Sequence, residues 1–431
     1  LPEEGKEIWK EFNPSGIADI KVHFQQKDGK RNHYTYIRPV NCTIYYKKFP
    51  YYIPYLSVVH TDKEAGVHIY NKFIKIKDIH GSKDKTSFKC NASLYMFDEE
   101  KEHEQDLMSF ELEVSKILVD EELRKALSIS FPKLINQMEP NGKVDSLKFI
   151  IKEYKKQNLK YLKYKLNVNK LNLKAKKGLF LEKLKGDVGI AGYVYNNKSH
   201  LKGYFENGEI TCHNLKICDL ESKFKFFNKY LMFSDINGKF YNGELQGALI
   251  MDTTSYGAYK GFLNIQYTQL KKLAKALNQG EEVDISGILN GEILFEGNLF
   301  DSNTMTGHGK VNLSNGKIWK LPIFLAILDL FSLPSASAPG FRTGVINFSI
   351  FKKIKINSMR FDSSMVSITG KGDVGFDGSL NCTIFTNFST GFLPKIPILD
   401  EAWKSISQDV FAVGVKGTIK DPSLNMHILN E

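Results

Sequence analysis

FKCNASLYM, residues 88 to 96, sets Phe88, Cys90, Ala92, Leu94 and Met96 against Lys89, Asn91, Ser93 and Tyr95. A period of two puts the first set on one face of a strand and the second set on the other. The same alternation recurs in Phe110, Leu112 and Val114, in Ile346, Phe348 and Ile350, and in Phe411, Val413, Val415 and Ile419. One apolar and one polar face per strand is the pattern of a sheet shielded from water on one side only. Asn-Gly and Asp-Gly pairs at 28–29, 141–142, 207–208, 237–238, 242–243, 290–291, 315–316 and 377–378 read as tight hairpin turns, so the sheet is expected to be antiparallel.

Helical periodicity is confined to short stretches, residues 120–127, 268–279, 321–331 and 400–411. They do not alternate regularly with strands, which excludes a doubly wound α/β fold. Pro14-Ser15-Gly16-Ile17-Ala18-Asp19 and Pro140-Asn141-Gly142-Lys143-Val144-Asp145 share the form P-x-G-x-x-D at the heads of two alternating blocks, and glycine-centred strand pairs recur in the second half. The expected fold is mostly β, an antiparallel sheet of repeated hairpins with a few short helices. Three segments are read along it: an N-terminal module over 1–139, central repeats over 140–280 and a C-terminal β region over 281–431.

The chain has 431 residues, 42% hydrophobic and 25% charged, so it is neither disordered nor a conventional integral membrane protein. Its 59 basic against 48 acidic residues give a formal charge of +11, which favours anionic partners, although lysines on polar strand faces produce the same excess. Five scattered cysteines, at 42, 90, 212, 218 and 382, make no disulfide framework, and a Cys212–Cys218 bridge is left open. Leu1 opens the chain without an initiator Met, a basic n-region or an apolar h-region, so the start reads as a cut from which an anchor or signal has been removed. The longest apolar run, 321–331, reaches only about 16 Å as a helix, against a hydrocarbon core of about 30 Å.

Catalytic motifs fail on context. Gly370-Lys371-Gly372-Asp373-Val374-Gly375 spells G-x-G-x-x-G, but a turn and another strand follow where a dinucleotide site needs a helix. No phosphate-binding G-x-x-x-x-G-K-[ST] loop, nucleophile elbow or H-E-x-x-H occurs. Cys212, His213 and Cys218 are three donors where a closed zinc site wants four. Lys155, Lys156, Lys160, Lys163 and Lys165 interleave with Tyr154, Tyr161 and Tyr164, but no nucleic-acid module accompanies them. The expectation is therefore no catalytic residue, no metal, no cofactor and no nucleic acid.

Gly307-His308-Gly309-Lys310-Val311-Asn312-Leu313 running into Asn315-Gly316-Lys317-Ile318, then Leu321-Pro322 with the apolar run, Phe341-Arg342-Thr343-Gly344, Gly370-Lys371-Gly372, Leu393-Pro394, and Val415-Lys416-Gly417-Thr418-Ile419-Lys420-Asp421-Pro422 resemble, in order and spacing, the C-terminal region of the AsmA-like family. Residues 233–247 are similar to another strand pair of that family, and the resemblance covers roughly 185–431. It implies an elongated, curved β-groove with an apolar concave face. The family also implies anchoring in a bacterial inner membrane, projection into the periplasm, and phospholipid movement or support of outer-membrane lipid balance.

A sheet with one apolar face must cover it, because exposed apolar surface costs about 25 cal/mol per Å². A second sheet closes a sandwich, whereas a gutter leaves its floor to acyl chains at roughly 0.8 kcal/mol per buried methylene. The lipid-binding floor is expected at Phe110, Leu112, Val114, Ile346, Phe348, Ile350, Val413 and Val415. Ile323, Phe324, Ile327, Leu328 and Phe331 are expected to plug the groove end or touch a membrane, with plain core packing an equal alternative. The expected partners are phospholipid or another acyl lipid and a membrane surface reached through the missing anchor. The other classes are an extracellular β-solenoid or adhesin with a closed core, and a carbohydrate-active enzyme needing clustered carboxylates or aromatics.

Overall fold

The computed structural model describes residues 10, 13–27, 30–46, 49–58, 63–70, 73–95, 105–130, 135–136, 139–156, 159–174, 181–195, 198–212, 215–253, 257–277, 284–298, 301–318, 325–326, 330, 340–388 and 410–428. Among them run 23 strands, with antiparallel pairing throughout the described ladders, and two complete helices. The mostly β, hairpin-built expectation holds.

Two compact units divide the chain, Leu1–His213 with Lys223–Asn228, and Asn214–Ser222 with Lys229–Glu431. The first holds β1 (Ser15–Lys27), β2 (Lys30–Tyr46), β3 (Phe49–Val58), β4 (Gly66–Tyr70), β5 (Phe73–Lys83), β6 (Thr86–Tyr95), β7 (Gln105–Val119), helix α1 (Glu121–Ser130), β8 (Asn141–Lys156), β9 (Leu159–Lys174), β10 (Leu181–Tyr195) and β11 (Lys198–Cys212). Strand β12 (Leu215–Phe227) is divided between the units. The second holds β13 (Tyr230–Phe240), β14 (Gly243–Asp252), β15 (Ala258–Gln269), helix α2 (Leu270–Leu277), β16 (Ser286–Asn298), β17 (Asp301–Lys317), β18 (Phe341–Phe351), β19 (Lys353–Asp362), β20 (Val366–Val374), β21 (Ser379–Phe388), β22 (Val410–Thr418) and β23 (Pro422–Ile428). The division differs from the three segments read in the sequence, and β7 pairs with β8 across the 139/140 limit.

From β5 to β11, and again from β13 to β23, each strand pairs with the next one in the chain. Strands β3 and β4 share one position: β2 gives Tyr34–Ile37 to β4 and Cys42–Tyr46 to β3, and β5 pairs with both. The helix expected over 120–127 is α1, and the one expected over 268–279 starts only at Leu270, after Thr268 and Gln269 have finished β15. Val410 and Phe411, read as helical, open β22, because β22 continues the alternation of Val413 and Val415 and finds a partner in β21. Residues 400–409 and most of 321–331 lie outside the described residues.

The Asn-Gly pairs depart from expectation. Asn207-Gly208, Asn237-Gly238, Asn290-Gly291 and Asn315-Gly316 lie inside strands, and Asn141-Gly142 opens β8. Asn207 and Asn315 sit at φ 52°, beside register shifts. Asparagine tolerates the left-handed region, which a bulge needs as much as a hairpin turn does. Asn242-Gly243 does serve a turn, with Tyr241 at φ 48° and Asn242 at φ 67°, and Gly378 at φ 87° serves another; 28–29 lies outside the described residues.

Several bulges share one device. Asn91 Oδ1 accepts a hydrogen bond from the Asp78 N–H at 2.8 Å, Asp187 Oδ1 from Lys170 N–H at 2.6 Å, and Asn290 Oδ1 from Tyr267 N–H at 2.8 Å. The donors stand at φ 48°, 50° and 57°, and each acceptor belongs to the following strand. Bulges bend a strand and raise its twist, so strands within each unit are curled at these points. The two P-x-G-x-x-D motifs open β1 and β8 with Gly16 at φ 123° and Gly142 at φ 142°; a Cβ on either would overlap the carbonyl of Asn41 or Asn172.

Candidate functional site

The ladder registers of the first unit align its apolar residues into rows that cross the strands. One row runs Phe88, Val114, Leu147, Val168, Val188, Phe205. A second runs Cys90, Leu112, Phe149, Leu166, Ile190, Gly203, and a third Ala92, Phe110, Ile151, Tyr164, Gly192, Leu201. In the first row Phe88, Val114 and Phe205 are buried. Every member of the second and third rows is half-buried. From β6 to β11 these rows span about 24 Å at roughly 4.8 Å per strand.

Helix α1 closes the first row. Asp120 caps it, its Oδ1 accepting from Leu123 N–H at 2.8 Å, and Glu121 and Glu122 complement the helix dipole in the first turn. The apolar side presents Leu123 and the fully buried Ala126 to a cluster of Tyr51, Phe88, Val114, Ile117 and Val144. Glu122 fastens it, accepting from Tyr52 N–H at 3.1 Å and from Lys83 Nζ. The Lys83 hydrogen bond, with Tyr52's help, holds the Glu122 carboxyl below its ordinary range. Burial, with Asp120, Glu122 and Asp84 nearby, pushes the Tyr51 hydroxyl up to about 12, so it stays neutral under the helix.

In the second unit glycines are interspersed among the bulky residues of the rows. One row runs Leu263, Ile293, Gly309, Phe348, Ile356, Gly372 and then reaches Cys382 and Val415. The bulky side chains lie down over the glycines: a Cβ on Gly309 would come within 2.7 Å of Phe348 Cζ, and one on Gly261 within 2.5 Å of Phe295 Cζ. Rings laid across a sheet give a floor of low relief. Along this one row Phe348 is half-buried, whereas Cys382 is 5% exposed and Val415 fully buried.

The eight expected floor residues therefore separate. Phe110 and Leu112 lie in the half-buried rows of the first unit and Val114 in the row that α1 closes. Ile346 and Phe348 are half-buried, Ile350 is buried, and Val413 and Val415 are sealed in a cluster with Phe361, Ile368, Ile384 and Leu380. Ile323, Phe324, Ile327, Leu328 and Phe331 lie outside the described residues; Leu330, from the same apolar run, packs against that cluster. Sequence reasoning missed Phe149, Leu166 and Ile190, whose strands alternate as clearly as β7 does.

The opposite faces are polar and ion-paired. Lys148 Nζ lies 2.5 Å from Glu111 and 2.8 Å from Glu113, and Lys89 lies 3.0 Å from Asp78. These contacts lower the Glu113 and Asp78 carboxyls, which makes them fixed anions rather than general acids. Tyr164 sits over Gly192 on the apolar side while Lys163 and Lys165 are on the other, so Tyr164 does not share a surface with those two lysines. Cys42, Cys90, Cys218 and Cys382 are free thiols, and the Cys212 side chain lies outside the described residues. Burial raises the Cys90 thiol to about 11, keeping it an apolar member of its row. Among the described residues no cluster of His, Cys, Asp and Glu could hold a metal, and no helix is long and apolar enough to cross a membrane. Comparisons with protein-family models, curated proteins and solved structures find no match.

Proposed function

We propose that this protein is a member of the AsmA-like family that binds phospholipid or another acyl lipid by its hydrocarbon chains and carries it within a bacterial envelope. The observation that carries the reading is the pair of adjacent rows in the first unit in which every residue is half-buried, from Cys90 and Ala92 on β6 to Gly203 and Leu201 on β11. A closed core would have buried them. Apolar surface of this kind lowers its free energy by about 25 cal/mol per Å² when hydrocarbon replaces water. A leaflet's chain, half of a core about 30 Å thick, fits within the length of the rows.

Binding of this type needs neither nucleotide, metal nor covalent step. Headgroups stay in water, the chains lie on low-relief floor, and sliding from one row position to the next breaks no directional bond. The periplasmic location and inner-membrane anchor belong to the same proposal, since they follow from the family reading.

The test is mass spectrometry of gently extracted protein together with uptake of a fluorescent phospholipid. Co-purifying lipid and saturable uptake are expected, with uptake reduced in Phe149→Asp. Repeated absence of both sinks the proposal in favour of a structural β protein.

A further inference from the structure

We infer that β1 is the meeting edge for a second copy of this chain, paired antiparallel about Val22, so that the apolar rows of one first unit run on into the other. Among the described residues β1 pairs only with β2. Its floor-side residues are bare: Ile20 is 62% exposed, Val22 47% and Phe24 83%. They are not stray apolar groups, because Ile20 heads a continuous row through Ile37, Val67, Ile76, Ala92 and Phe110. The row does not end at the edge; it is cut there.

The chain's other described edge is managed differently. Strand β23 has 7 residues and opens on Pro422, two devices that discourage further pairing. Strand β1 has 13 residues, no proline inside it and only one acid and two lysines, Asp19, Lys21 and Lys27. A long unblunted edge carrying an apolar face is a template for another strand.

Self-pairing suits its pattern. A twofold axis at Val22 sets Val22 against its own copy and Ile20 against Phe24 on the floor side, with Lys21 opposite His23 and Asp19 opposite Gln25 on the other. No like charges face each other. Centring on Lys21 would oppose two lysines, and centring on His23 would set Ile20 against Gln26, so the pattern disfavours both neighbouring registers. Such a pair is closed and isologous, which stops growth at two.

Sedimentation equilibrium of the 431-residue chain, with a Val22→Cys cross-linking arm, tests this. The wild type is expected at twice the chain mass, and Val22→Lys is expected to raise the dissociation constant roughly tenfold or more. Since Val22 and Ile17 are both exposed on this edge, these changes leave the fold intact, which circular dichroism checks. Under mild oxidation Val22→Cys should form a disulfide-linked dimer, the Cα separation of an antiparallel pair being about 5 Å. Ile17→Cys should not, its copies lying about 33 Å apart at roughly 3.3 Å per residue. A monomer at every concentration overturns the inference, as does an Ile17→Cys cross-link equal to that of Val22→Cys or a dimer indifferent to Val22→Lys. A monomer that still takes up lipid removes the pairing and spares the lipid reading; a dimer that takes up none does the reverse.

Discussion

Strands β7 to β11 of the first unit and β20 to β22 of the second are built from the same alternation, yet they end differently. Leu112, Phe149 and Leu166 remain half-buried, while Ile368, Ile384, Val413 and Val415 lose all or nearly all contact with water. What differs is the cover. The second cluster also collects Ile318, Met365 and Leu330 from outside its strands and Phe341 from the start of β18, whereas the cluster under α1 takes in Leu112 but no other member of the second and third rows. An apolar strand face thus becomes core or floor according to what the connecting segments lay over it.

The largest effect expected from this contrast is in paired acid substitutions. Val413→Asp buries an unpaired carboxylate and should remove more than about 4 kcal/mol of stability, whereas Leu112→Asp can keep its charge hydrated and should cost about 1–2 kcal/mol while depressing lipid uptake. Urea unfolding of both variants checks it, and equal losses would mean that the first unit's rows are as closed as the second's. A smaller loss, about 2 kcal/mol, is expected for Gly344→Ala, whose new Cβ would come within 2.6 Å of Cε1 in the buried Phe361 ring, itself packed on Phe341. Denaturant midpoints measure this; an unchanged midpoint would show that the sealed end has slack.

The mildest effect is in the cover itself. Because Glu122's carboxyl is lowered in the folded protein, its contribution is complete above the ordinary glutamate value of 4.5 and is lost as pH falls through the lower folded value. Amides of α1 should therefore exchange faster below that range before those of β20 to β22 do, and Lys83→Met should shift this acid-sensitive step toward ordinary glutamate behaviour. Exchange in α1 that ignores acid would detach Glu122 from the role given to it.

Much of this could be read from residue order alone. Alternation in Phe88–Met96 and in Phe110–Val114 settled strand faces, because a period of two leaves little freedom once one side is apolar. Phe348 and Val415 show the limit: they occupy one row and read alike, and the cluster that Ile318, Leu330, Phe341 and Met365 join at the Val415 end separates them. The Asn-Gly pairs were misjudged for a local reason, since Asn207 and Asn315 take the left-handed backbone that a hairpin turn would also have demanded. Nothing in Asn290 by itself announces that its side chain will satisfy the amide of Tyr267 on the strand before.

Pairing between strict sequence neighbours from β13 to β23 has an evolutionary consequence. No strand there waits on a distant partner, so removing or duplicating one whole hairpin re-pairs only the strands at the junction. Reach becomes a quantity that selection can tune in steps of two strands, with the chemistry of each step left unchanged.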